Sequence, residues 1–239
     1  MLGLGHGWGI SLADGTLIAS TLVLPYEHFA WISMVLVLPE HRRRGYASRL
    51  LRLAIADLEH RGQTPVLDAT PAGRAVYREE GFRDTWTFKR FFLRDPISVA
   101  GNARPMVERD WKDILQLDAK AFGAGRQRLL RALAQRLPQC ALTIEGKGFV
   151  LARDGREASQ IGPLVARDED AALALLSSSL AAVPPPVYVD ALDHAPGLQN
   201  WLTARGFQFQ RPFTRMVRGA QRAPGNEKMI FLVAGPELG

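Results

Sequence analysis

Apolar positions early in the chain come in short runs separated by turn residues, with one longer stretch of different spacing among them. Trp8 to Leu12 and Thr16 to Leu24 read as strands, and Asp14-Gly15 supplies a hairpin turn between them. Phe29 to Leu38 is a third strand, entered through Pro25-Tyr26-Glu27-His28. From Gly45 to Arg61 the period changes. Ala47, Leu50, Leu51, Ala54 and Leu58 recur at i, i+3, i+4 and i+7, which predicts a helix with one buried face, and Gly62 stops it. A strand at 65–69, a helix at 72–80 and a strand at 85–93 follow, until Arg94-Asp95-Pro96 breaks the pattern.

From Ala103 the pattern restarts. Arg104 to Val107 reads as a strand, Asp110-Trp111 as a helix start, and Leu129 to Leu137 as a second helix. Phe149 to Arg153 and Gln160 to Ala166 are strands around Asp154-Gly155. Asp168 is placed to cap an alanine- and leucine-rich helix reaching Leu180. A strand at 187–190 and a helix at 198–205 close the series. That helix ends in Gly206-Phe207, as the earlier one ends in Gly81-Phe82, so the chain reads as a diverged internal repeat. Lys228 to Ala234 is apolar enough for a final strand that needs a sheet to join. It either completes the second domain or pairs in the two-domain body, where Glu237 or the Gly239 carboxylate would reach the cleft as a base.

The chemistry concentrates where the third strand meets the long helix. Val35, Leu36 and Val37 run through Pro39 into Arg42, Arg43, Arg44, Gly45, Tyr46, Ala47 and Ser48. A helix start has unpaired N–H groups and a favourable dipole for anions. Gly45, without a Cβ, lets the backbone approach a ligand, and three arginines add positive charge. The spacing Arg-x-x-Gly-x-Ala, followed by Tyr77-Arg78-Glu79-Glu80-Gly81-Phe82 one helix and one strand later, resembles the acyl-CoA pyrophosphate loop and the Leu-Tyr-Glu-Lys-Leu-Gly-Phe signature of the GNAT superfamily of N-acetyltransferases. Ile161 to Ala166 and Arg215-Met216 are similar to the second domain of bacterial tandem GNAT proteins.

The resemblance implies an α/β (α+β) fold with two GNAT-like mixed β-sheet domains flanked by helices, at 1–95 and 103–239. The first would lack its usual front strand and helices, which form part of the acceptor wall. It implies an acetyl-CoA-dependent N-acetyltransferase without a metal. Residues 42–48 would hold the pyrophosphate, and the backbone of Val35, Leu36 and Val37 the pantetheine amides, their side chains being ordinary core. Thr70 would bond the pantetheine arm, and the Tyr77 hydroxyl would protonate the leaving thiolate. Many members carry a glutamate on the third strand; this strand has no Asp or Glu, which leaves Glu27 or His28 in the preceding turn as the base. Asp68, on a core strand, is expected to bond a neighbouring loop. The second repeat has Asp168-Glu169-Asp170 where the first has its basic loop, and Leu202 in place of Tyr77, so it reads as degenerate. A non-catalytic acyl-CoA-binding or regulatory module is the alternative from another class.

Composition narrows the partners. The 239 residues are 47% hydrophobic and 23% charged, ordinary for a globular chain. No apolar run reaches the roughly 18–20 residues of a membrane span, and the N-terminus does not read as a signal peptide. Cys140 is the sole cysteine, which excludes an intrachain disulfide and a cysteine-cluster metal site. A cytoplasmic location is the default expectation. The net charge of +6 favours anionic partners such as the phosphates of coenzyme A. Scattered basic residues without a zinc-finger spacing or RNA-recognition motif argue against nucleic acid. The acceptor stays open between a small-molecule amine and a protein amine, and a homodimer stays open with it.

Overall fold

The structure is a computed structural model that describes residues 3–239. The first repeat holds β1 (His6–Ser11), β2 (Leu17–Pro25), β3 (Phe29–Val37), α1 (Tyr46–His60), β4 (Thr64–Ala69), α2 (Pro71–Glu79) and β5 (Arg83–Leu93). These are the elements the apolar pattern predicts, within about two residues at each end. The second holds β6 (Arg104–Pro105), α3 (Trp111–Phe122), α4 (Gln127–Arg136), β7 (Leu142–Ile144), β8 (Gly148–Arg153), β9 (Ser159–Ala166), α5 (Glu169–Ala182), β10 (Val187–Leu192), α6 (Pro196–Ala204), β11 (Gln208–Val217) and β12 (Ile230–Leu232). The pattern did not announce β11, because its first five residues are exposed and its last five buried, so no two-residue period marks it.

The chain folds into two compact units that do not follow sequence order. One holds the chain up to Trp86 with Thr214–Ala223 and Pro236–Gly239; the other holds Thr87–Phe213 and Pro224–Gly235. The compact units therefore differ from the segments 1–95 and 103–239, since each unit contains part of both repeats.

In the first unit the strands run in the order β1-β2-β3-β4, followed by the end of β11. Neighbours β1–β2 and β2–β3 are antiparallel, and β3–β4 is parallel. Leu51, Ala54, Ile55 and Leu58 of α1 pack on Val23, Ala30, Ile32, Leu67, Ala69 and Met216. Each such large side chain taken from water contributes about 1.5–3 kcal/mol. Because Ala30 and Ile32 face α1, the strand's alternation turns Trp31 and Ser33 to the other face. Asp68 of β4 and Arg215 of β11 are on that face too. They form a bidentate pair at 2.9 Å, with side chains 0% and 3% exposed. The Arg215 guanidinium lies 4.3 Å from the Trp31 ring centroid and 3.9 Å from that of Trp86. Asp68 thus bonds a strand of the second repeat and not a loop.

The second unit contains the reciprocal pair. Arg90 of β5 bonds Asp190 of β10 at 2.8 and 2.7 Å, and Gln160 donates to the same carboxylate. Arg90 and Arg215 stand at the same distance after Gly81-Phe82 and Gly206-Phe207, and Asp68 and Asp190 both precede an alanine. The two repeats have exchanged their last strands. Here the order is β5-β10-β12-β9-β8-β7-β6. β9 and β10 are parallel over Ser159–Ile161 and Val187–Val189, and β12 pairs antiparallel with both, Leu232 facing Ala191 and Leu164. Gly162 permits this approach: a Cβ there would stand 2.1 Å from the Val233 carbonyl oxygen.

The expected strand at 228–234 is shorter, because Glu227–Met229 forms a 3₁₀ turn, and it completes the second unit. The last four residues belong to the first unit. Trp31 Nε1 donates to the Pro236 carbonyl at 2.9 Å and the Tyr26 hydroxyl to that of Leu238 at 2.8 Å. The tail therefore passes from the Trp31 side chain to that of Tyr26, which precedes β3.

Candidate active site

The site starts from a gap. β3 and β4 pair only through Phe29–Trp31 and Thr64–Val66, although β3 continues to Val37 and β4 to Ala69. Beyond Trp31 the β4 side of β3 is open. At the same level β3 bulges. Ser33 faces Leu22 and Leu36 faces Ser20, so Met34 and Val35 together oppose Thr21. Met34 takes φ 52, rare for a non-glycine residue. Two hydroxyls hold the bulge: Ser20 Oγ donates to the Met34 carbonyl at 3.0 Å and Thr21 Oγ1 to that of Ser33 at 3.5 Å. Both carbonyls thus turn toward β2. A trans peptide sets its N–H opposite its C=O, so the N–H groups of Met34 and Val35 turn toward the gap.

Two helix N-termini follow the ends of the two diverging strands. A 3₁₀ turn at Pro39–His41 leads from β3 to Gly45, the N-cap of α1, at φ 78. No side chain caps α1 and its first turn holds no acid, so its N–H groups stay available to an anion. Arg42, Arg43 and Arg44 are exposed, with Tyr46, Ala47 and Ser48 half-buried behind them. Arg42 Nε reaches back to the Val37 carbonyl at 3.2 Å. After β4, Thr70 caps α2 by accepting from Gly73 N–H at 3.3 Å. Its oxygen is engaged there, while its O–H remains a donor. Tyr77, one turn on, lies back over Gly73, where an added Cβ would meet its ring at 2.9 Å. Helical side chains lean toward the N-terminus, so this places the hydroxyl at the start of α2. Tyr77 and Val35 border the same apolar cluster. Burial pushes the Tyr77 hydroxyl up from its ordinary value of 10.0, which keeps it protonated at neutral pH.

The structure brings Val35, Leu36, Val37, Arg42 to Ser48, Thr70 and Tyr77 to the ends of β3 and β4. It does not bring Glu27 there. Glu27 and His28 are exposed in the turn before β3, and β3's nine residues separate them from Arg42 by roughly 26 Å of strand. Leu36 is 53% exposed, so it is not core: the strand end has left β4 and stands free on one side. The signal that sequence reading missed is the bulge, since Ser33, Met34 and Val35 look like any strand until their register is known. Among the described residues no three His, Cys, Asp or Glu side chains gather as a metal site requires, and no helix is long and apolar enough to cross a membrane.

Comparison with known proteins agrees with the repeat. Residues 4–82 match the acetyltransferase (GNAT) family and residues 114–232 match a second acetyltransferase (GNAT) domain family. The chain is a tandem member of the GNAT family. The uncharacterized N-acetyltransferase YitH of Bacillus subtilis is 23% identical over 212 residues, covering 85% of this chain and 74% of that protein. A candidate acetyltransferase of Pyrococcus horikoshii has the same fold with a TM-score of 0.77, at 24% identity over 95% of this chain and 78% of its own. A tandem GNAT protein from the clavulanic acid biosynthesis pathway has a TM-score of 0.58, at 16% identity over 90% of this chain and 83% of its own.

The second GNAT domain has the same frame without an open site. Its helix α5 is capped by Asp168, which accepts from Ala171 N–H at 2.8 Å, and Glu169 and Asp170 fill the first turn. The position of Tyr77 is taken by Leu202, fully buried. Where β3 and β4 leave a gap, β9 and β10 receive β12. The chain's own strand stands where an extended ligand would pair.

Proposed function

We propose that the first unit binds acetyl-CoA and transfers its acetyl group to a primary amine. The observation that carries this reading is the open gap between β3 and β4, with an uncapped, arginine-flanked helix N-terminus at its end. The N–H groups of α1 and Arg42 to Arg44 would take the pyrophosphate. The edge of β3 at Val35, Leu36 and Val37 would pair with the pantetheine amides as a strand does. The Val35 N–H, turned into the gap, would polarise the thioester carbonyl. Thr70 O–H would reach the pantetheine arm, and Tyr77, protonated at neutral pH, would donate to the departing thiolate.

Two measurements test this. Calorimetry with acetyl-CoA at low salt should give one site per chain, and absence of any affinity overturns the proposal. Thiol release from acetyl-CoA is then followed over a panel of primary amines and lysine peptides. A chain that binds acetyl-CoA yet acetylates none of them is the non-catalytic acyl-CoA-binding module instead.

A further inference from the structure

Three hydroxyls meet at the bulge in β3, and two are accounted for. Ser20 holds the Met34 carbonyl and Thr21 that of Ser33. The third, Ser33 Oγ, is buried with no hydrogen-bond partner, on a residue only 7% exposed. Native proteins rarely leave a buried hydroxyl unpaired, because the group gives up water and gains nothing. No protein group is within hydrogen-bond geometry of it, and the Asp68 and Arg215 side chains on the same face bond each other. Leu22 is its partner across the strands, and the Trp31 indole on the same face already donates to Pro236. Ser33 Oγ is joined to the Met34 nitrogen through four covalent bonds. An oxygen atom resting on the gap-facing N–H groups of Met34 and Val35 therefore comes within reach of it.

We propose that Ser33 Oγ–H donates to the carbonyl oxygen of the bound acyl group. With the amides of Met34 and Val35 it forms a three-donor site for the oxyanion. The proposal rests on the reading of the first unit as an acetyl-CoA site. In the step it serves, the amine nitrogen attacks the carbonyl carbon and the C=O π pair moves onto oxygen, where the three donors hold it. The pair then returns, the C–S bond breaks with its electrons on sulfur, the amine proton passes to water, and the thiolate takes a proton from Tyr77, which regains one from water. A buried hydroxyl, shut off from water, strengthens as charge develops on the oxygen.

The test compares acetyl-CoA with S-ethyl-CoA, which has the same bulk but no carbonyl oxygen. Affinities for both are measured by calorimetry on the full chain, native and Ser33→Ala. Acetyl-CoA affinity should fall about fivefold in the variant, and S-ethyl-CoA affinity should not change. Ser33→Cys, which keeps the shape but donates weakly, should show the same selective loss and guards against a variant that fails to fold. Equal losses for the two ligands, or none, overturn the role of Ser33. A native chain that binds neither ligand overturns the acetyl-CoA reading itself, which distinguishes the two failures.

Discussion

Tyr77 can lie over the start of α2 only because position 73 has no side chain. This gives two separable tests of its role as acid. Tyr77→Phe should lower turnover by roughly 10²–10⁴-fold with acetyl-CoA affinity unchanged. Gly73→Ala should raise helix stability by up to about 1 kcal/mol, since alanine favours the helix over glycine. The added Cβ should push the tyrosine ring aside and lower turnover. A thermal melt and a rate assay on the same variant read the two effects apart. Glu27→Gln should leave the rate and its pH profile unchanged, because the residue is exposed in the turn before β3, ahead of the paired stretch Phe29–Trp31 that separates it from the gap. Nearby, Arg74 and then Arg78 hold the Asp84 carboxyl down from 3.8 to about 2. A depressed carboxylate adds stability that is complete above its unfolded value and is lost as pH falls through the folded one. The melting temperature should therefore decline from pH 4 toward pH 2, and Asp84→Asn should flatten that decline. Both arginines are substantially exposed, so the effect is small.

At the scale of elements, α1 and α5 occupy the same place in the two repeats and differ at their first turn. α1 opens on Gly45 with no side-chain cap, and α5 is closed by Asp168. Acetyl-CoA stoichiometry should accordingly be one per chain, and a titration that saturates at two contradicts the reading of α5. At about 100 times the dissociation constant, ligand should add about 2.7 kcal/mol to stability. Gly45→Glu should abolish that gain. It places an acid at the dipole's positive end and a side chain at φ 78, while open space around the position lets the unliganded fold persist. A melt with and without acetyl-CoA measures both parts.

Over the whole molecule, the exchange of last strands makes each unit depend on both repeats. Arg215 is the test, since it carries a buried charge paired with Asp68 and stacked on Trp31 and Trp86. Arg215→Ala leaves the Asp68 carboxylate buried without its partner, which should cost about 3–5 kcal/mol. Because the first unit contains that pair, acetyl-CoA protection should be lost together with stability. A repeat 1 fragment ending at residue 95, without β11, should fail to fold for the same reason. Circular dichroism on the fragment checks it.

Local information placed nearly all the elements of the first repeat. The change from strand to helix period at Gly45 is carried by side chains a few positions apart, and so is the Gly-Phe ending of α2. The loop from Arg42 to Ser48 and the acid run at Asp168 could be read for the same reason, since charge and helix position are sequence properties. Three features lay beyond that range. The bulge at Met34 depends on the register of β3 against β2, which involves residues far apart in the chain. The closing of the second gap by β12 depends on where a short apolar segment finds two unpaired edges. The exchange of β5 and β11 pairs Arg90 with Asp190 and Arg215 with Asp68 across a hundred residues or more. Sequence therefore determined the two repeats and their unequal chemistry. Which edges remain open, and hence where a ligand can bind, was decided by pairing between distant strands.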